Sequence, residues 1–319
     1  MRAPAAELDR TPNRPRLKPW YRIAHRDRGV ILRYGGSVLE FGGEVAQRLL
    51  PRLLPLLDGT RTVEAIVAEL GEPARPAILN ALSLLGSHRL LDEAPPETLD
   101  PGALRTVELL AASDPYASDT QAVAERLAGA RVSVLGSGGA ARLLPDLLSP
   151  LEVEAAAWDD GVWPVGDLVV VAPAAAELGL LRDWNRVALE RGFAWLQVLP
   201  FDGQLAAVGP LFVPGQSACY ECYRRRRAAN VSPLPDDGLG DFPSAPALDA
   251  VLAGQAALVA LRHLGLGDGG AVGVLLALEQ SPAAASRHVV HRVPRCPECS
   301  LAAEIAAPSP WSEVHRIAA

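Results

Sequence analysis

Arg131-Val132-Ser133-Val134-Leu135-Gly136-Ser137-Gly138-Gly139-Ala140-Ala141 is an apolar run that stops at a glycine cluster and continues into small residues. Glycines at such a break let the backbone turn tightly and approach a neighbour closely. A strand that feeds a helix through G-x-G-x-x-A is the phosphate-cradling turn of an open α/β sheet. Gly136, Gly138 and Gly139 are therefore candidate nucleotide-binding positions. Outward from this turn, Pro145 limits the following helix and Val153 to Trp158 read as the next strand. Asp159 and Asp160 fall near its end, where a ribose-binding carboxylate belongs. Asp167 to Ala172 reads as a buried parallel strand, Leu178 to Gly192 as a helix and Ala194 to Leu199 as a strand. Gln204 to Val208 adds an antiparallel strand, and the alternation predicts a doubly wound, Rossmann-like α/β domain.

Further along, Cys219-Tyr220-Glu221-Cys222 is echoed by Cys296-Pro297-Glu298-Cys299, and these are the only four cysteines in the chain. Two C-x-x-C knuckles supply two thiolates each to a tetrahedron, the donor set of a structural zinc ion. The competing reading is two disulfides or four separate buried thiols. No signal-peptide-like core begins the sequence, and the spacing favours the metal. Four thiolates leave no open coordination position, so Zn2+ held by Cys219, Cys222, Cys296 and Cys299 is expected to hold structure rather than activate water.

The N-terminal third has a different rhythm. Residues 1–17 are rich in Pro, Arg and Ala without periodicity and read as a flexible arm. Trp20 to His25, Val30 to Tyr34 and Val38 to Phe41 are β-like runs divided by turn residues, which predicts an antiparallel meander. Three helical patterns follow. The first runs from Val45 to Leu57 and is short or kinked at Pro51 and Pro55, the second is Thr60 to Leu70, and the third is Pro76 to Gly86. The order βββααα over 18–93 predicts a winged-helix-like module. Its third helix is almost free of basic residues, which disfavours a DNA-recognition helix. Residues 94–117 open with Ala94-Pro95-Pro96 and read as a linker with a short helix at Leu104 to Leu110; residues 118–319 form the second domain.

The net charge of −7 and the lack of a basic stripe argue against a nucleic-acid partner. The long apolar stretches are interrupted by charge, Gly or Pro, so no membrane span is expected and the protein is expected in the cytoplasm. Arg224 to Arg227, after the first knuckle, read as a solvated helix face or a docking surface.

Leu57-Asp58-Gly59-Thr60-Arg61-Thr62-Val63-Glu64-Ala65-Ile66, after the meander, resembles the PqqD-like recognition domain of modified-peptide biosynthesis. The resemblance implies that a precursor's leader peptide adds as a strand to the third β-strand and packs on the third helix. By position the edge is Val38, Leu39, Glu40 and Phe41, with Ile78, Leu82 and Leu85 as floor.

Val132 to Gly139, Gly209-Pro210-Leu211-Phe212-Val213-Pro214-Gly215, the apolar helix Leu248 to Leu264 and the knuckles together resemble the ThiF-like, ubiquitin-activating-like superfamily over about residues 118–300. Active members adenylate a carboxylate with Mg-ATP and need a lysine on the phosphates, an Asn and Arg-Gln set, and a metal-binding Asp. Here no lysine follows Lys18, Gly161-Val162-Trp163-Pro164-Val165 holds no Asn or Arg-Gln, and Leu168 to Val171 ends in Ala172-Pro173. No ATP is therefore expected, and Gly136, Gly138, Gly139 and Asp159 stand as a vestigial nucleotide site.

A recognition module before a degenerate ThiF-like domain resembles the ocin-ThiF-like F proteins of thiazole/oxazole-modified peptide pathways, thiopeptides included. The resemblance implies a non-catalytic scaffold that binds the leader and presents the core to a YcaO-type cyclodehydratase, and a homodimer. The alternative is an ATP-dependent adenylating enzyme acting on a peptide or carrier-protein carboxylate. An NAD-dependent oxidoreductase rests on the glycine loop alone.

Overall fold

The computed structural model describes residues 12–27, 29–94, 99–113, 119–149, 152–156, 166–230, 245–279 and 284–300, with 152–156 and 230 described through their backbone. The chain divides into two compact units, Met1–Ala128 and Gly129–Ala319.

In the first unit, strands β2 (Arg22–Arg26), β3 (Gly29–Tyr34) and β4 (Ser37–Gly42) form an antiparallel three-stranded sheet in chain order, after a short strand β1 (Pro15–Leu17). Register pairs Val30 with Phe41 and Leu32 with Leu39, which puts one apolar face on the core. Helix α1 (Glu44–Leu53) carries Pro51 inside it, stops at Leu53 and tightens into a 3-10 turn at Leu54–Leu56. Missing one N–H and crowding the preceding turn, proline shortens the helix as its sequence position predicts. Helix α2 (Val63–Leu70) is capped by the Thr62 hydroxyl, which accepts the Ala65 N–H at 3.2 Å. Helix α3 (Arg75–Ser87) buries Ile78, Leu82 and Leu85 against Leu32, Leu53, Ile66 and Val67. Strand β5 (Leu91–Glu93) follows, then α4 (Pro101–Ser113) and α5 (Thr120–Ala128).

Two expectations change here. The end of the arm is structured: β1 pairs antiparallel with β5, and the Asn13 and Arg14 N–H groups each donate to the Glu93 carboxylate at 2.8 Å. A strand of three residues is too short to show periodicity in sequence. Its cations are also claimed internally, Arg16 by Glu108 at 2.7 Å and Lys18 by Asp92 at 3.6 Å. The segment 94–117, expected as a linker, carries α4, a helix of 13 residues whose Ala103, Val107, Leu110 and Ala111 are buried. The Tyr34 hydroxyl donates to the Ala112 carbonyl at 2.9 Å, which ties α4 to the meander.

The second unit holds a seven-stranded sheet. Strands β6 (Arg131–Leu135), β7 (Glu152–Ala156), β8 (Leu168–Val171) and β9 (Trp195–Leu199) are parallel, in the order β7-β6-β8-β9. Strands β10 (Leu205–Phe212), β11 (Val274–Glu279) and β12 (Ala284–Val289) extend the sheet antiparallel beyond β9. Helix α6 (Gly139–Leu147) follows β6, α7 (Gly179–Arg191) joins β8 to β9, and α8 (Tyr220–Asn230) and α9 (Pro246–Leu266) lie between β10 and β11. Val169, Val171, Trp195 and Leu199 alternate onto the face where Leu181, Trp184 and Ala188 of α7 and Tyr223 of α8 pack. Helix α9 lies against β9, β10 and α6. It is long and apolar enough to cross a membrane by composition, and its Leu252, Ala253, Ala256, Ala257, Ala260 and Leu261 are buried within the protein.

Candidate functional site

The four cysteines meet. Helix α8 starts at Tyr220, so Cys219 sits at its entrance and Cys222 in its first turn. The segment after β12 brings Cys296 and Cys299 to the same place, 77 residues on from their partners. Sγ separations are 3.8 Å for Cys219 and Cys222, 3.7 Å for Cys219 and Cys296, and 3.5 Å for Cys222 and Cys299. All four Sγ atoms lie within 4.8 Å of one another. A zinc ion with Zn–S bonds of about 2.3 Å sets a tetrahedron edge of about 3.8 Å, so the thiols fit a metal and are too far apart for disulfides. Burial pushes the Cys219 thiol upward, and the Cys299 thiol up to about 12. A cation among the thiols would offset that cost for Cys219 and Cys299.

The surroundings of the knuckles are bonded in place. The Val293 N–H points at Cys222 Sγ at 3.3 Å, and Arg226 donates to the carbonyls of His291 and Arg292 at 2.6 and 2.8 Å. Asn185 of α7 accepts the Tyr220 N–H at 2.9 Å and donates to Glu298 at 3.0 Å, so one amide spans both knuckles. Arg224 and Arg225 pair with Glu221, and Arg227 pairs with Asp202. Arg225 and Arg226 are exposed, as a solvated face would be, and the run braces the knuckles through these pairs as well.

Around the glycine turn, Gly136 has φ 110°, and a Cβ there would lie 2.6 Å from the Ala172 carbonyl oxygen. The Gly138 N–H donates to that same oxygen at 3.1 Å. These glycines are required by the close approach of β6 to the end of β8. A cavity of about 500 Å³ beside the turn is lined by Gly136, Ser137, Ala176, Glu177, Gly179, Leu180 and Asp183. Its charged lining is acidic. Gly136, Gly138 and Gly139 form the turn from β6 into α6, while Asp159 and Asp160 lie outside the described residues.

A second cavity, of about 550 Å³, lies in the first unit among β4, α1 and α3. Phe41, Val45, Leu49, Ala81, Leu84 and Leu85 make it apolar, and Glu40, Asn80 and His88 supply its polar atoms. Of the residues singled out in sequence, Glu40, Phe41 and Leu85 line it. Val38 is 57% exposed on β4 and Leu39 is half-buried behind it. Ile78 and Leu82 are fully buried in the core and do not reach the cavity, whereas Val45 and Leu84, unmarked in sequence, are 61% and 48% exposed beside it. The helical period finds the inward face of α3; a groove at its border is lined by the next residues round, Ala81 and Leu84.

Strand β4 pairs on one side only among the described residues. The Gly35-Gly36 turn makes Tyr34 and Ser37 the first hydrogen-bonded pair of the hairpin, and pairs then alternate. Val38, opposite Arg33, and Glu40, opposite Ile31, are therefore non-bonded pairs, so their backbone N–H and C=O groups point out along the open edge.

No protein-family profile matches this sequence, and no curated protein matches it. Solved structures do. A heterocyclase in complex with substrate and cofactor superposes at TM-score 0.70 with 23% identity over 90% of this chain and 39% of its own. The heterocyclase TruD gives 0.68 with 25% identity over 91% and 43%. The microcin C7 biosynthetic enzyme MccB, in complex with N-formylated MccA, gives 0.59 with 16% identity over 90% and 99%. The chain spans about two fifths of the heterocyclases' length and nearly the whole of MccB. The chain thus shares its fold with these two heterocyclases and with MccB.

Proposed function

We propose that the protein binds the leader of a ribosomally synthesised precursor peptide and presents its core to a separate cyclodehydratase of the YcaO type, for azoline or azole formation. The observation that carries this reading is the apolar groove running beside the open edge of β4. A peptide laid along that edge takes up the outward N–H and C=O groups of Val38 and Glu40. Side chains of one parity, about 6.6 Å apart, then enter the groove between α1 and α3. Its aliphatic lining suits Leu, Ile, Val or Phe at those positions.

The likeness to two heterocyclases and to MccB supports a role in peptide modification. The acidic lining beside the glycine turn supports a scaffold over an adenylating role, because a nucleotide phosphate there meets like charge. The metal, in this reading Zn2+ on Cys219, Cys222, Cys296 and Cys299, holds structure only.

The test is direct. A short Cys/Ser/Thr-rich peptide gene next to a YcaO-type gene identifies the precursor, and its fluorescently labelled leader is titrated into the full-length protein. Saturable binding at micromolar or better affinity, about −8 kcal/mol, is expected. Absence of saturable binding overturns the proposal.

A further inference from the structure

The loop that a nucleotide would use is already occupied by the protein's own carboxylates. In an open α/β sheet, free N–H groups of the glycine turn and the N-terminus of the helix after it receive a phosphate. Here the Ser137 N–H donates to Glu177 Oε2 at 3.0 Å and the Ser137 hydroxyl to Glu177 Oε1 at 2.7 Å. Glu177 Oε2 also accepts the Ala174 N–H at 3.0 Å. One carboxylate thus bridges the glycine turn to the segment after β8. Burial works against ionisation of Glu177, but these donors outweigh it and hold its carboxyl below the ordinary glutamate range, so it is charged at neutral pH.

A second carboxylate stands at the next residues. A Cβ built on Gly139 would overlap the side chain of Asp249. Gly139 is the first residue of α6, and Asp249 lies in the first turn of α9. Two helix N-termini therefore share one aspartate, each favouring negative charge at that point. The space beside Gly139 where a side chain would stand is filled by that carboxylate.

We propose that Glu177 and Asp249 act as built-in phosphate mimics that close the glycine turn to nucleotides, making this turn a fixed internal brace. The two acids also place like charge where a phosphate would come, partly offset by Arg142, whose guanidinium donates to the Ser137 carbonyl at 3.0 Å. The inference is independent of the peptide groove: leader binding and nucleotide exclusion are measured separately, and either can fail alone.

The test is calorimetric titration of the full-length protein with ADP, Mg-ATP and inorganic phosphate. The wild type is expected to show no saturation below about 1 mM. Glu177→Ala combined with Asp249→Ala opens both positions and is expected to bind ADP at least about tenfold more tightly than the wild type, a change of about 1.4 kcal/mol. Saturable ADP binding by the wild type below that concentration overturns the proposal. So does a folded double variant, checked by circular dichroism, that binds no better. If the double variant does not fold, hydrogen exchange of the Ser137 amide in Glu177→Gln decides. Slower exchange on adding ADP to this variant, with no effect in the wild type, supports the plug, and an equal response in both proteins sinks it.

Discussion

Each of the four cysteines supplies one corner of a cluster in which three sulfur–sulfur distances, 3.5, 3.7 and 3.8 Å, are close to the edge of a zinc–thiolate tetrahedron and none exceeds 4.8 Å. Purified protein is expected to carry one zinc ion per chain by elemental analysis, and Cys296→Ser to lose most of it. Structural zinc contributes about 10–16 kcal/mol to folding in small domains, so the same substitution should unfold the second unit at ordinary temperature. Asp202 offers a finer test. Burial opposes its charge, but the N–H groups of Leu205 and Gln204 and the Arg227 guanidinium hold its carboxyl below the usual value. A depressed carboxylate stabilises the fold above its unfolded value of about 3.9, and that stability is lost as pH falls through the folded value. Asp202→Asn should therefore destabilise the fold at pH 7 by about 1.5–3 kcal/mol, read as a lower midpoint of thermal unfolding, and the deficit should shrink below about pH 4. A deficit that is the same at pH 3 and pH 7 would refute this account.

Among the elements, β4 and α3 carry the peptide reading. Val38→Pro removes an outward-facing N–H without breaking a bond to β3, and edge strands tolerate proline at such positions. It should weaken leader binding at least about tenfold, or 1.4 kcal/mol, while leaving the unfolding transition nearly unchanged. Leu84→Glu puts charge into the groove from an exposed position and should do the same. Leu82→Glu, which the helical period alone would suggest, buries a carboxylate in the core and unfolds the unit instead. A capping change gives a control unconnected with binding: Thr62→Ala should cost about 1 kcal/mol and leave leader affinity intact.

For the whole molecule, what sequence reveals depends on how far apart the cooperating residues lie. The turn from Arg131 to Ala141 is local, so its strand, glycines and helix are readable from eleven consecutive letters. The cysteines are 77 residues apart yet readable, because thiols in paired C-x-x-C spacing have few other uses. Strands β11 and β12 have no clear strand signal in sequence; β12 opens on Ala284-Ala285, whose strand propensity is weak, and the two are fixed by pairing, β11 with β10 and β12 with β11. Glu177, 40 residues from Ser137, and Asp249, in a different helix from Gly139, leave no local trace of what they do. The pairing of Arg16 and Lys18 with acids far along the chain is hidden for the same reason.

Lys18 is the only lysine in this sequence, and it is 3% exposed, held beside Asp92 and over the Trp20 ring. The folded surface therefore presents no ε-amine to acetylating, ubiquitin-transferring or amine-crosslinking chemistry. In a mixture with a lysine-bearing peptide or enzyme partner, amine-directed reagents would label the partner's lysines and report on the assembly without marking a side chain of this protein.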